Sequence, residues 1–363
     1  MSDRFGSLPT PALLLDLDRV ENNLEQMAAK AERLGVALRP HLKTHKCAEV
    51  ARLQVARSEA GATVATLEEA RYFAAQGIDD LTWAFPVILS RLEEVRDLAA
   101  STTLRLVIDS REALEAVAAL GIPVHVWLKV DCGYHRAGVQ PDGQEVRELA
   151  GVLAGAEHMT FDGVLSHSGH AYDAASPEIA RRVADQEREV MVACAERLRE
   201  FGIKVPAISI GSTPAMMVVT DLTGIDEIRP GNYVFFDYTQ VQLGSCRVAD
   251  CAVTVLASVV STSASHSVID AGALALSKDP GPAHKPGSTL GEVFEDYDRA
   301  HLSEELRVTS LSQEHGKLSR PRPVGERLRV LPNHSCLTVA QFDEYYVVRG
   351  DSVVDRWPIH RAR

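Results

Sequence analysis

A chain of 363 residues exceeds what one small core organises and is read as a large domain plus a smaller one. Its 45% apolar and 24% charged residues are ordinary globular proportions, which exclude extended disorder. A formal net charge of −12 excludes a non-specific nucleic-acid binder, which needs a basic face to displace counterions from phosphates.

The N-terminal segment MSDRFGSLPTPALLLDLD holds only a short apolar run, residues 12–15, broken at once by Asp16 and Asp18, so no signal peptide is expected there. No stretch approaches the roughly 20 apolar residues that cross a bilayer, so no membrane partner is expected. The six cysteines, Cys47, Cys132, Cys194, Cys246, Cys251 and Cys336, lack the paired spacing of a metal finger and suit a reduced, cytoplasmic setting.

From about residue 12 to 230, short β-branched or apolar runs alternate with amphipathic stretches of helical length, the pattern of βα units. Eight barrel strands are predicted at 36–41, 62–65, 81–85, 104–108, 124–130, 161–166, 207–210 and 225–229. Between them lie helices such as 110–120, where Ala113, Leu114, Val117 and Leu120 recur at spacings of three and four. Eight units predict a (β/α)8 TIM barrel over residues 12–238, with an open doubly wound sheet as the alternative. After Tyr238 the runs CAVTVLASVVST, SVIDAG, RLRVLPNH and EYYVVRG are strand-like, so residues 239–363, with 1–11, are predicted to form a β-rich domain. The Gly- and Pro-rich segment DPGPAHKPGSTLGEV reads as a surface loop.

A barrel's chemistry sits at the carboxyl ends of its strands. There the chain places RPHLKTHK, DCGYHRAG, HSGHAY, GSTPA and RPGNY in turn. Lys43, at or just beyond the first strand, is expected to be partly desolvated, favouring the neutral amine that a Schiff base needs; the alternative is that Lys43 and Lys46 are plain loop cations. GSTPA and RPGNY offer backbone N–H groups, and Ser212 and Thr213 add hydroxyls, a combination that suits a phosphate but equally an ordinary helix cap. In PNHSC, His334 and Cys336 stand two residues apart, which on a strand turns both to one face; imidazole and thiolate suit zinc, although a buried cysteine beside a hydrogen-bonded histidine is the alternative. In SQEHG, Glu314 and His315 read as a catalytic pair or as a loop turn.

Together and in this order these segments resemble the D-threonine aldolases and eukaryotic-type D-serine dehydratases, relatives of alanine racemase among fold-type III pyridoxal-phosphate enzymes. The resemblance runs from TPALLLDLD through RPHLKTHK, VDCGYHRAGV, SHSGHAY, GSTP, EIRPGNYVFFD, VIDAGALALSKD and SQEHG to PNHSC. It implies pyridoxal 5′-phosphate on Lys43 and Arg136 near the cofactor phenolate and substrate carboxylate. Tyr172 would contact the cofactor, and Gly211, Ser212, Thr213, Gly231, Asn232 and Tyr233 lie where its phosphate is held. His334 and Cys336 become ligands of a divalent metal, zinc before manganese, magnesium or cobalt. His167, His170, Gln313, Glu314 and His315 are substrate or supporting candidates, and a homodimer is implied.

The resemblance implies a lyase acting on a 3-hydroxy D-amino acid. A dehydratase removes the α proton, with Lys43 as base, and expels the β hydroxyl toward a metal, giving a 2-oxo acid and ammonia. An aldolase instead needs a base at the β oxygen, for which His167 or His170 could serve, and gives glycine and an aldehyde. Cys336 as the second metal residue and the absence of a further histidine in DAASPEIA favour the dehydratase. A non-catalytic cofactor-binding protein is disfavoured by the additional β domain, and a racemase by the lack of a segment resembling its second-base tyrosine.

Overall fold

The computed structural model describes residues 5–58, 60–282, 284 and 289–361; residues 1–4, 283 and 285–288, which fall in the predicted N-terminal and loop segments, lie outside the described residues. The chain divides into a barrel unit, residues 27–43 and 51–231, and a sheet unit built from residues up to 26, 44–50 and 232–361.

The barrel unit's strands are, in chain order, Ala37–Leu38, Ala62–Val64, Asp80–Pro86, Thr103–Ile108, Val124–Lys129, Met159–Leu165, Ala207–Ile210 and Glu227–Ile228. All eight predicted strands are present and every pairing between neighbours is parallel. The first is shorter than expected, but its continuation bridges to the second: His41 pairs with Thr63, and the Thr63 N–H donates to the Pro40 carbonyl at 2.8 Å. That contact closes the sheet on itself and excludes the open alternative.

Helices follow from capping and stripe. In Arg111–Ala118, Ser110 caps by accepting from the Ala113 N–H, and Ala113, Leu114 and Val117 are buried. The helix Pro177–Glu200 starts on Ser176 with proline at its first position, and its buried stripe of Ala180, Ala184, Met191 and Cys194 also contains Glu187, a carboxylate with no exposed surface.

A chain of ion pairs crosses the strands. Buried Arg39 donates from Nε to Glu227 at 2.6 Å and from a terminal nitrogen to Asp80 at 2.6 Å. Arg105 pairs with Asp80 and Asp162, each at 2.7 Å, and Asp162 accepts from His125 at 2.8 Å. Glu227 in turn accepts from Ser209.

The sheet unit is a nine-stranded sheet in the order Ser267–Ile269, Gly316–Leu318, His301–Leu311, Glu292–Asp296, Arg327–Leu331, Val253–Thr262, Ala12–Asp16, Glu344–Arg349, Ser352–Pro358. This corrects the predicted boundary. Ala12–Asp16, assigned to the barrel from its sequence, is buried along its whole length because it pairs antiparallel with Val253–Thr262 and parallel with Glu344–Arg349. Residues 44–50 and 232–238 group with this unit as well. Phe5 joins its core with Ala12, Leu14, Leu256, Tyr346 and Val348. The hairpin of Glu292–Asp296 and His301–Leu311 was not predicted; its charged, interrupted pattern reflects a mostly exposed outer face. Among the described residues no helix is long and apolar enough to cross a membrane.

Replacing Glu227 with Ala leaves buried Arg39 with one carboxylate in place of two and should cost roughly 3 kcal/mol. Urea unfolding monitored by circular dichroism measures this; a loss within experimental error would mean that Asp80 alone satisfies the guanidinium.

Candidate active site

The barrel unit gathers its polar residues where the strands end. Beyond the fifth strand, Asp131 folds the DCGYHR loop on itself: its carboxylate accepts from the N–H groups of Gly133 at 3.0 Å and His135 at 2.9 Å, and from His135 Nδ1 at 2.8 Å. The loop presents Tyr134 and Arg136, with the guanidinium carbon 5.0 Å from the phenol ring centre. Tyr134 lies against Gly169 of the HSGH segment so closely that a Cβ there would come within 2.2 Å of its ring, which explains the glycine. His170 stacks on Tyr134 at 5.9 Å, and His167 meets it edge-on at 6.2 Å.

The two imidazoles differ. His167 donates from Nδ1 to the Gly211 carbonyl at 3.0 Å, which leaves Nε2 as its lone-pair nitrogen. Burial, then the charges of Lys43 and Arg136, hold its pKa well below the ordinary histidine value, so it is neutral near pH 7. Burial also lowers His170, whose ring nitrogens are covered and have no hydrogen-bond partner. Of the two, His167 has the nitrogen suited to proton transfer. Tyr172 is half-buried on the short helical turn Gly169–Asp173.

Lys43 departs from expectation. It stands on the helical turn Leu42–Thr44 beyond the strand and is exposed, because the strand ends at Leu38 and carries the chain out before the lysine is reached. The desolvated lysine is instead Lys129, the last residue of the fifth strand, only 5% exposed. Burial first, then Arg229 and Arg136, lowers its pKa to about 8. Arg229, at the end of the eighth strand, is buried too and donates to the Ser209 hydroxyl and the Ser166 carbonyl. Burial, opposed by Glu227 and Glu187, brings its pKa down to about 10. Neither residue was singled out in the sequence, although a lysine within VHVWLKV and an arginine ending EIR are legible as charges in apolar strands.

Two of the supposed free N–H groups are engaged. Gly211, at φ +117°, donates to Glu187 at 3.3 Å, and Gly231 donates to the Thr213 hydroxyl at 3.3 Å, which ties the GSTP and RPG turns together. Ser212 starts the short helix Thr213–Val218, but its hydroxyl donates to the Ser168 carbonyl at 3.1 Å. What remains for an anion is the rest of these turns, together with Lys43 and Arg136, neither of which is paired with a carboxylate among the described residues. This set fits an aldehyde cofactor carrying a phosphate.

The sheet unit holds the second group. His334 precedes the short helix Ser335–Val339 and Cys336 lies within it, so the two are not on a strand as expected: Pro332 ends the pairing of Arg327–Leu331, and Asp237 captures the turn. Asp237, wholly buried with its pKa raised by that burial, accepts from the Ser335 N–H at 2.9 Å and from Asn232 Nδ2 at 2.8 Å. His334 Nδ1 donates to Asp279 at 2.7 Å, which fixes the ring and makes Nε2, on the side of Cys336, the nitrogen that would exchange its proton for a metal. Burial lowers the His334 pKa, but Asp279 and the neighbouring Cys336 outweigh it and raise it to about 11. Cys336 Sγ lies 3.4 Å from the Thr44 hydroxyl and 3.7 Å from Asn232 Nδ2.

Imidazole and thiol within reach of each other fit a borderline divalent ion. Among the described residues no set of three such donors occurs, so protein would supply two ligands. Asn232 directs its side chain to this group, with its Oδ1 buried and unpartnered, while Tyr233 is buried beside it in sequence. Asp279 was missed because its loop read as mere surface; in fact Pro282 and Thr289 are buried, and Asn333 donates to the Asp279 carbonyl at 3.0 Å. Gln313, Glu314 and His315 form an exposed turn that docks on Gly272–Leu274, where the Leu274 N–H donates to the Gln313 carbonyl at 3.1 Å.

Residues 15–239 match the alanine racemase N-terminal domain and residues 252–348 a putative serine dehydratase domain. The chain is 37% identical to the D-threo-3-hydroxyaspartate dehydratase of Delftia sp. (strain HT23), with 98% of each chain covered. It is 33% identical to the D-serine dehydratase of Dictyostelium discoideum, covering 97% of this chain and 96% of that one. The solved structure of the Delftia enzyme has a TM-score of 0.94 at 35% identity, with 99% of both chains covered. A D-threo-3-hydroxyaspartate dehydratase has also been solved as a cysteine-to-alanine mutant in the metal-free form and as a histidine-to-alanine mutant, the two positions two residues apart, each 35% identical to this chain over 99% of its length.

Substituting Asp279 with Asn removes the charge that orients His334 and should weaken zinc binding by roughly 10- to 100-fold. Competition with a chromophoric chelator measures the affinity; an unchanged value would show that the imidazole is oriented without it.

Proposed function

The chain belongs to the alanine racemase N-terminal domain family, and on that premise we propose that it is a pyridoxal-phosphate- and divalent-metal-dependent lyase that dehydrates a 3-hydroxy D-amino acid to a 2-oxo acid and ammonia. The observation that carries the dehydratase reading is the His334–Cys336 pair backed by Asp279. Its spacing equals that of the histidine and cysteine replaced in the D-threo-3-hydroxyaspartate dehydratase mutants, one of which is in a metal-free form.

When bound, the cofactor and metal supply an electron sink for the α carbon and a Lewis acid for a departing hydroxyl. The residues divide the remaining work. Lys43 would hold the aldehyde, and its Nζ is the group that would take the α proton. Arg136, braced on Tyr134, orients a carboxylate, and Tyr172 packs on the cofactor. The turns at Gly211, Ser212, Thr213 and Gly231, followed by Asn232 and Tyr233, hold the phosphate. His334 Nε2 and Cys336 Sγ hold the metal, for which zinc is the best match to imidazole and thiolate. Neutral His167 accepts or passes a proton near Lys43 and Arg136. A cytoplasmic homodimer completes the proposal; the six cysteines, none of them in a disulfide among the described residues, suit a reducing compartment.

Product analysis of the metal-loaded protein with D-serine, D-threonine and 3-hydroxyaspartate should yield 2-oxo acid and ammonia, and chelation should abolish turnover. Borohydride should fix the cofactor on Lys43. Cys336→Ala should reduce 2-oxo acid formation far more than exchange of the α hydrogen in deuterated water. Glycine and aldehyde as products would establish the aldolase instead, and an adduct on Lys46 would displace Lys43.

A further inference from the structure

The carboxylate of Glu187 has no exposed surface and lies on the helix Pro177–Glu200, outside every segment that the function above uses. Its donors come from the ends of three successive strands. Oε1 accepts from the Ser166 hydroxyl at 2.7 Å and from the Gly211 N–H at 3.3 Å, with Cys132 Sγ at 3.9 Å. Oε2 accepts from the Ser168 hydroxyl at 2.5 Å, and that hydroxyl lies 3.3 Å from the hydroxyl of Ser212. A buried carboxylate is costly unless it is met by several donors, so Glu187 and these loops are placed together or not at all.

We propose that Glu187 is a positioning residue for the phosphate-holding turn Gly211–Thr213, fixing it directly through the Gly211 N–H and indirectly through Ser168 and Ser212. Gly211 sits at φ +117°, a conformation that glycine enters and leaves without steric cost, so the turn depends on hydrogen bonds to hold its place. Glu187 touches neither cofactor nor substrate; it acts through the turn. The proposal rests on the cofactor reading above.

The test compares the affinities of the full-length chain, freed of bound aldehyde, for pyridoxal 5′-phosphate and for pyridoxal, by visible absorbance. Wild type should prefer the phosphorylated form. In Glu187→Gln, which keeps the shape but turns an amide toward one set of donors, that preference should fall on the order of tenfold, with pyridoxal binding nearly unchanged. Ser168→Ala, which leaves the carboxylate in place and cuts only the indirect route, should lower the preference severalfold. A role confined to general stability would lower both affinities together and leave their ratio intact; that result, in variants with native circular dichroism, overturns the proposal alone. A wild type with no preference for the phosphorylated aldehyde would remove the cofactor reading and the proposal with it.

Discussion

The barrel depends on one buried guanidinium. Arg39 is 4% exposed, and a charge so far from water must be paired or the strand that carries it will not stay inside. Its two carboxylates come from the eighth strand, as Glu227, and from the third, as Asp80. Satisfying Arg39 therefore draws the first strand against the last and across the second, where the His41–Thr63 bridge completes the ring. Once the ring is closed, every βα loop of this unit emerges at one end, and residues as distant in sequence as Lys43, Arg136, His167 and Arg229 become neighbours in charge.

That dependence explains what the sequence reveals and what it hides. Strand positions were legible because parallel strands covered on both faces leave short apolar runs, as at 106–108 and 126–128. The run at 12–15 has the same appearance, yet it belongs to the sheet unit: burial on both faces marks a strand but does not name its neighbours. The ion pairs were illegible for a related reason. Arg39, Asp80 and Glu227 are separated by 41 and 188 positions from Arg39, and nothing local marks them as partners.

The candidate site shows the same split between residues proposed to meet a ligand and residues that hold them. Lys43, Arg136, His334 and Cys336 stand in segments whose composition draws notice. Glu187, Asp237 and Asp279 do not, because each works by accepting hydrogen bonds from backbone or side chains that only the folded chain brings within reach. An amphipathic helix in which one stripe position is glutamate reads as an imperfect stripe, and an aspartate before Pro-Gly reads as a turn. Both readings are locally sound. The carboxylates become informative only when their burial and their donors are known.

The cations at the barrel mouth carry a cost that a bound anion would offset. Lys43, Lys129, Arg136 and Arg229 form no salt bridge among the described residues. Lys129 shows the consequence, since its pKa falls from 10.5 to about 8, with burial as the larger cause and the two arginines adding to it. A lysine whose folded pKa lies below its unfolded value binds its proton less tightly when folded, so it opposes folding below about pH 8, and this opposition fades as pH rises from there toward 10.5. An anion placed among these groups reverses the balance, because it favours the charged form of each and is bound only by the folded chain. Its binding free energy then adds directly to the stability of the barrel. A phosphorylated, anionic cofactor is an occupant of that kind, and the same electrostatics that make the mouth unfavourable by itself make it selective for negative charge.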